Sequence, residues 1–310
     1  VGAYPHGFCP SPGVARLPTG QVSRCEVFRT KSNATTYTAG LNYQVTPDAL
    51  IYGKISRGYR PGGANATAVP GTSPNFGPEF DRSIEFGGKA DYSLGPARAR
   101  TNLALFTDKY QKIQKLVTSL VNNAPVSVVS NVANGRVRGI ELEQTVVPFR
   151  GMDLRATWSH LDAKYQQLSP ADVAFACNSP YIGFCTLSHF AGTPKNMVTL
   201  AAHYTLPLPE QYGEVTIGGD WYTRSRIAVS DNDYIDPSAK SPRYSLLNLN
   251  TSWNNVMRSN ADLGVFVTNV TNKSYITGTN SLDHNLGIAA LQWGEPRMFG
   301  VSVRYHFGGS

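Results

Sequence analysis

Six histidines, four cysteines and one short acidic run are the groups that could do chemistry in this chain of 310 residues. His6, His160, His189, His203, His284 and His306 form no metal-ligand spacing, so no metal site is expected. Ser159 and His160 are adjacent; in a strand they point to opposite faces and cannot work as nucleophile and base. The motifs G-x-S-x-G, H-E-x-x-H and the P-loop are lacking. The chain is therefore not read as an enzyme, and no cofactor is expected. Asp231, Asn232, Asp233 and Asp236 could hold a calcium ion, but a solvated acidic turn is the preferred reading.

Cys9, Cys25, Cys177 and Cys185 lack paired C-x-x-C spacing. Each local pair falls in a segment rich in turn residues. The preferred connectivity is two loop-closing bridges, Cys9–Cys25 and Cys177–Cys185, with two other pairings and free thiols left open. Bridges would place these loops in an oxidising compartment. Tyr181, Phe184, His189, Tyr234 and Trp293 lie in long connecting segments, where rings can hold a planar or glycosidic small-molecule ligand. Packing of its own loop is the competing reading for each.

The formal charge of +7 is spread along the chain without a basic block, so no nucleic-acid partner is expected. Its sign is compatible with anionic ligands or lipopolysaccharide. Hydrophobic residues make up 41% and charged residues 16%, and no stretch approaches the roughly 18 apolar residues of a transmembrane helix. Composition alone leaves a transmembrane β-barrel and a soluble β-sandwich both open.

The elements that must position these groups are strands. Phe299, Val301, Val303, Tyr305 and Phe307 alternate with Met298, Gly300, Ser302, Arg304 and His306, a strict period of two. The same alternation runs through Ile84–Tyr92, Leu154–Trp158, Val198–Tyr204, Val215–Trp221, Leu247–Trp253 and Leu263–Val267. It predicts about eleven strands: 33–44, 49–59, 79–92, 97–118, 124–147, 151–166, 195–206, 213–229, 242–254, 261–271 and 296–307. Many exceed the roughly five or six residues of globular strands and reach the nine to eleven that cross a bilayer at a tilt. Short connections (45–48, 94–96, 148–151, 206–213, 255–260) alternate with a second set (60–78, 119–123, 167–194, 230–241, 272–295), most of them long although the 119–123 boundary is blurred, as periplasmic turns alternate with extracellular loops. Tyr43, Tyr92, Tyr204, Trp253 and Phe307 sit at strand ends, where an interfacial girdle requires them. The fold class expected is all-β, an antiparallel transmembrane barrel wall in an outer membrane. Glu85, Lys89, Glu141, Glu143 and Asp220 fall on its polar phase, facing water or an internal domain.

Topology adds an expectation. If short turns are periplasmic, the last strand runs inward. Counting back, the first does too, which puts 1–32 outside as an extracellular loop region. Barrel wall then occupies 33–307, with 308–310 as a tail. A bacterial barrel has an even number of strands, so further strands are expected upstream.

Four segments resemble TonB-dependent receptors: Leu50–Gly63 (LIYGKISRGYRPGG), Asn131–Glu143 (NVANGRVRGIELE), Phe266–Tyr275 (FVTNVTNKSY) and Arg297–Phe307. They occur in that family's order, from about 33 to 307. The resemblance implies the C-terminal half of a 22-stranded barrel around an N-terminal plug. It also implies active uptake of a scarce ligand, most commonly an iron–siderophore complex, driven by TonB–ExbB–ExbD through an N-terminal region absent from this sequence. It assigns Phe307 to recognition by the barrel-assembly machinery. Outer-membrane lipid, lipopolysaccharide and the transported small molecule are the remaining partners. Two other readings stay open: a passive porin-like or specific diffusion channel without a plug, and a receptor that captures substrate for a surface lipoprotein.

Overall fold

The computed structural model describes residues 14–16, 22–24, 30–65, 75–121, 124–168, 190–229, 240–282 and 288–307. Chain order begins with β1 (Val14–Arg16), β2 (Val22–Arg24), β3 (Tyr37–Thr46), β4 (Ala49–Arg60), β5 (Gly63–Ala64) and β6 (Asn75–Phe76). It continues with β7 (Glu79–Leu94), β8 (Ala97–Val121), β9 (Ala124–Val147), β10 (Met152–Leu168), β11 (Asn196–Thr205) and β12 (Glu214–Arg224). The last are β13 (Ile227–Ala228), β14 (Lys240–Ser241), β15 (Tyr244–Asn254), β16 (Ala261–Thr268), β17 (Ile276–Leu282), β18 (Ile288–Trp293) and β19 (Met298–Tyr305). Among the described residues no helix is long and apolar enough to cross a membrane.

Eleven strands form one sheet in the order β19-β16-β15-β12-β11-β10-β9-β8-β7-β4-β3, each antiparallel to its neighbours. These are the eleven that the alternation predicts. The remaining strands form four small hairpins, β1–β2, β5–β6, β13–β14 and β17–β18. β5–β6 and β17–β18 lie inside the long connections, whereas β13 takes the end of the strand predicted over 213–229 and pairs with β14 across the 230–241 connection. The predicted loop at 119–123 is also largely strand, because β8 and β9 stay paired to Val121 and Ala124. Strand ends moved where side chains competed for the backbone. The strand predicted to reach 271 stops at Thr268, since Asn269 takes a left-handed φ of 48°. The one predicted to reach 229 stops at Arg224, where Ser225 Oγ accepts the Asn196 amide at 3.0 Å.

Exposure is inverted relative to a globular core. Leu41 is 76% exposed, Phe299 83%, Val301 71% and Val303 70%, whereas the buried apolar residues among those described are only Ala99, Ile113, Val128, Val132, Ala133 and Ala228. Water would penalise such a surface at roughly 25 cal/mol per Å²; hydrocarbon does not. A sandwich would cover these side chains with a second sheet, and none is present among the described residues.

Register carries the apolar phase from strand to strand: Phe299 pairs with Val267, Val267 with Leu249, Leu249 with Gly219, Gly219 with Ala202, and Ala202 with Leu154. A one-residue slip at any pair would turn that row to the other face. The girdle aromatics Tyr43, Tyr92, Tyr204, Trp253 and Phe307 all fall at the short-turn end. Phe149 meets Tyr204 edge-on at 5.8 Å, Tyr305 meets Phe307 at 4.8 Å, and Trp253 Nε1 donates to the Tyr212 carbonyl at 2.5 Å. Polar side chains on this face near the same end satisfy one another: Thr101 Oγ1 donates to Gln144 Oε1 at 2.5 Å, and Tyr92 lies 2.8 Å from Thr101.

Candidate functional site

The opposite, polar phase carries the predicted charges, and each described contact is local. Glu85 accepts Lys54 Nζ at 2.7 Å and Tyr52 at 2.8 Å, Glu143 accepts Asn102 at 3.0 Å, and Asp220 accepts Asn248 at 2.8 Å. Rings on this face lie over glycines of the neighbouring strand. Tyr52 covers its register partner Gly87, Phe106 covers Gly139, and Phe266 covers Gly300. A Cβ at Gly87 or Gly300 would fall 2.5 Å from a ring atom, and one at Gly139 would overlap Phe106.

One group of three rings, Tyr110, Tyr165 and Phe190, stands at the long-connection end. Asp81, Tyr110, Gly135 and Tyr165 are successive register partners across β7 to β10. Phe190, in the segment leading to β11, drops its ring into the gap over Gly135. It stacks on Tyr165 with centroids 4.2 Å apart and planes 13° off parallel, and stands 6.4 Å from Tyr110. A Cβ on Gly135 would lie 2.5 Å from Phe190 Cζ. The segment is fixed by the Leu161 amide donating to Lys195 at 2.9 Å and the Gly192 amide to Ala228 at 2.8 Å.

Beside these rings is a cavity of about 470 Å³, whose lining includes Tyr110 and Phe190 with Arg60, Lys115, Glu79 and Glu141. Its floor is held by amides. Gln114, only 6% exposed, donates to the carbonyls of Pro61 and Gly77 at 2.9 and 3.0 Å while its backbone N–H donates to Glu79 at 2.8 Å. Asn131 accepts the Gly77 amide at 2.6 Å and donates back to the Gly77 carbonyl at 2.9 Å. Asn65 makes the same reciprocal pair with Val129, at 2.7 and 2.9 Å. These bonds pin the β5–β6 hairpin to the long β8–β9 hairpin.

A second corner is organised by Arg224, 6% exposed. Its guanidinium lies 4.4 Å from the Tyr244 ring centre and donates to Ser241 Oγ at 2.6 Å, which donates to the Ile276 carbonyl at 2.6 Å. Asn269, 3% exposed, donates to the carbonyls of Lys273 and Glu295 at 2.9 and 3.0 Å. Asn131, Asn134, Asn269 and Asn272 of the sequence motifs are thus backbone clamps. Asn134 accepts the Lys112 amide and Asn272 the Arg297 amide, each at 3.0 Å.

Of the loop aromatics singled out in the sequence, Trp293 is at the base of the β17–β18 hairpin, 58% exposed, and does not line the cavity. Tyr181, Phe184, His189 and Tyr234 lie outside the described residues, as do Cys9, Cys25, Cys177, Cys185 and the acidic turn at 231–236. Phe190, which sequence reasoning passed over beside His189, is the ring the structure brings to the site. A signal existed: Gly135 and Gly139 recur four apart on one strand face, and bare positions on a packed face call for a ring from elsewhere. Rings, cations and carboxylates thus line one cavity at the long-connection end. Among the described residues, no three metal-ligating side chains converge.

The family model described as TonB dependent receptor-like, beta-barrel, matches residues 14–270. The ferric yersiniabactin uptake receptor FyuA of Yersinia pestis superposes with a TM-score of 0.67 at 17% identity, over 87% of this chain and 37% of that one. The ferric-catecholate import receptor Fiu of E. coli K12 gives 0.67 at 18% identity, over 94% and 37%. The pyoverdine outer membrane receptor FpvA of Pseudomonas aeruginosa PAO1, bound to pyoverdine, gives 0.63 at 16% identity, over 92% and 38%. The chain spans a little over a third of the length of these receptors.

Proposed function

Because the chain belongs to the TonB-dependent receptor β-barrel family, whose place is the outer membrane, we propose that it supplies part of the wall of a receptor for active uptake. The cargo is a scarce small molecule, with an iron–siderophore complex the first choice, and the energy comes through TonB–ExbB–ExbD. The observation that carries this reading is the cavity beside Tyr110 and Phe190 at the long-connection end of the polar face. Planar chelating groups stack on such rings, and Arg60 offers charge-assisted hydrogen bonds to their oxygens. No bond chemistry is required of the wall. Its tasks are to match lipid outside, water or a plug inside, and a ligand at the outer rim. The printed cargoes of FyuA, Fiu and FpvA support an iron complex without selecting one.

Within this reading Tyr181, Phe184, His189, Tyr234 and Trp293 are proposed loop contacts, and Cys9–Cys25 and Cys177–Cys185 proposed loop bridges. Phe307 is proposed as the assembly signal, a role its 89% exposure supports. The test is uptake of radiolabelled ferric siderophores by cells expressing the full receptor, with binding measured on purified protein. Replacing both Phe190 and Tyr110 by alanine removes two stacking surfaces of about 0.5–1.5 kcal/mol each, an expected loss of about ten-fold in affinity. Uptake unchanged in cells without TonB would sink active transport in favour of a passive channel. Unchanged binding by the double variant would move the site away from this cavity.

A further inference from the structure

We propose that the outward face carries a lipopolysaccharide site at its long-connection end, where a row of cations takes the phosphates of one lipid A head. Arg57, Arg82, Lys109, Arg136 and Lys164 are successive register partners on five adjacent strands, β4, β7, β8, β9 and β10. All five fall on the apolar phase, so they stand on the opposite face from the cargo cavity. The next row toward the membrane centre is Ile55–Ile84–Thr107–Arg138–Asp162, which adds one more cation and a carboxylate. That carboxylate is already taken, since Asp162 lies 2.9 Å from Lys164 Nζ. Among the described residues Arg82, Lys109, Arg136 and Arg138 form no ion pair.

Such a row is unfavourable by itself. Like charges directly opposite one another across strands repel, and hydrocarbon alongside makes each cation more costly. An anion bridging several of them relieves both. Arg57 keeps a donor unused: its Nε is buried without a hydrogen-bond partner, while its guanidinium lies 4.6 Å from the Phe80 ring centre.

Height and width choose the occupant. Arg82 stands ten residues from the girdle residue Tyr92 on β7, roughly 33 Å along the strand at 3.3 Å per residue. At a tilt near 40° this is about 25 Å along the membrane normal, the height of the apolar band. The row therefore lies at head-group level, which in the orientation proposed above belongs to the outer leaflet. Tyr59 and Phe80, one row further out with ring centres 5.6 Å apart, suit that interface. Five strands about 4.8 Å apart make the row roughly 19 Å wide. A phospholipid offers one phosphate, and phosphoethanolamine brings its own ammonium. Lipid A carries two phosphates at the ends of a disaccharide, with acyl chains to lie over Ile55, Ile84 and Phe86. Arginine forks hold such phosphates bidentately. The other half of the sheet is the contrast: at the same end and on the same phase, Val198, Thr223 and Ser245 form an uncharged row.

The experiment is native mass spectrometry of the full receptor, freed of lipid in detergent and titrated with lipid A. Wild type is expected to bind one bisphosphorylated lipid A, with dephosphorylated lipid A and phosphatidylglycerol each at least ten-fold weaker. Arg82→Gln, Lys109→Gln and Arg136→Gln together should weaken lipid A at least ten-fold. Lys89→Gln, Arg100→Gln and Arg155→Gln together remove as much charge from the polar phase and should leave binding unchanged. Equal weakening in the two triple variants would mean a general effect of net charge and overturn the site. So would unchanged binding in the first, or phosphatidylglycerol held as tightly as lipid A by wild type. Heat-modifiable mobility on gels checks that each variant is folded. The comparison of lipids on wild type needs no variant, and it decides the matter even if the first triple variant fails to fold.

Discussion

The two faces of this sheet share every strand and every hydrogen bond, yet they use glycine in opposite ways. On the polar face Gly87, Gly135, Gly139 and Gly300 are filled positions, each lying under a ring from a neighbouring element, while Gly40 and Gly58 meet no ring. On the apolar face a Cβ at Gly53 would meet nothing within 4 Å, and one at Gly88 would meet only ordinary contacts. Gly219 is the exception on that face, its Cβ falling 2.8 Å from the Asn248 carbonyl. Lipid adapts to whatever outline it meets, so empty positions there cost little. The polar face must present a fixed surface, and it builds relief from rings and bare backbone.

The widest expected separation between the faces is electrostatic. Val265→Arg, on the apolar phase five residues from the short turn, should cost about 2–4 kcal/mol, the penalty for a cation near the bilayer midplane. Thr157→Lys, on the polar phase opposite Glu143, should stay within about 0.5 kcal/mol. Reversible urea unfolding of the full receptor in phospholipid vesicles measures both, and equal costs would break the distinction. Glycine sharpens it at a smaller scale. Gly139→Val must evict the Phe106 ring and should cost about 1–3 kcal/mol, whereas Gly53→Ala should be neutral or mildly stabilising. Midpoint shifts of the same sign and size in the two variants would remove the asymmetry. Smallest is the loss of one polar-face ion pair. Lys54→Gln removes the 2.7 Å contact to Glu85, whose side chains are 41% and 22% exposed, for an expected 0.2 to about 1 kcal/mol. The effect should shrink as salt is raised; a salt-independent loss would point to packing of the lysine stem instead.

The wall was legible because a period of two survives in any strand with one face in lipid. Phe299, Val301 and Val303 declare their strand without reference to anything else. The site was less legible because it is made between strands. Nothing local to Gly135 says that Phe190, 55 positions later, will stack above it. The β5–β6, β13–β14 and β17–β18 hairpins also escaped, since they are short and held by side-chain amides such as Asn65 and Asn269 in place of an apolar face. Motif asparagines read as family marks proved to be hydrogen-bonding clamps, which explains their type but could not be deduced from spacing.

The β8–β9 hairpin has a mechanical consequence. Its strands are 25 and 24 residues long, whereas about eleven suffice to cross the bilayer. The excess rises roughly 40 Å along the strand direction at 3.3 Å per residue. With its backbone paired along nearly all of that length, it forms a stiff ribbon beyond the span where a slack loop could have been. A load applied along such a ribbon is carried by its backbone hydrogen bonds to the cavity at its foot, which Ile113, Gln114 and Lys115 of β8 help to line.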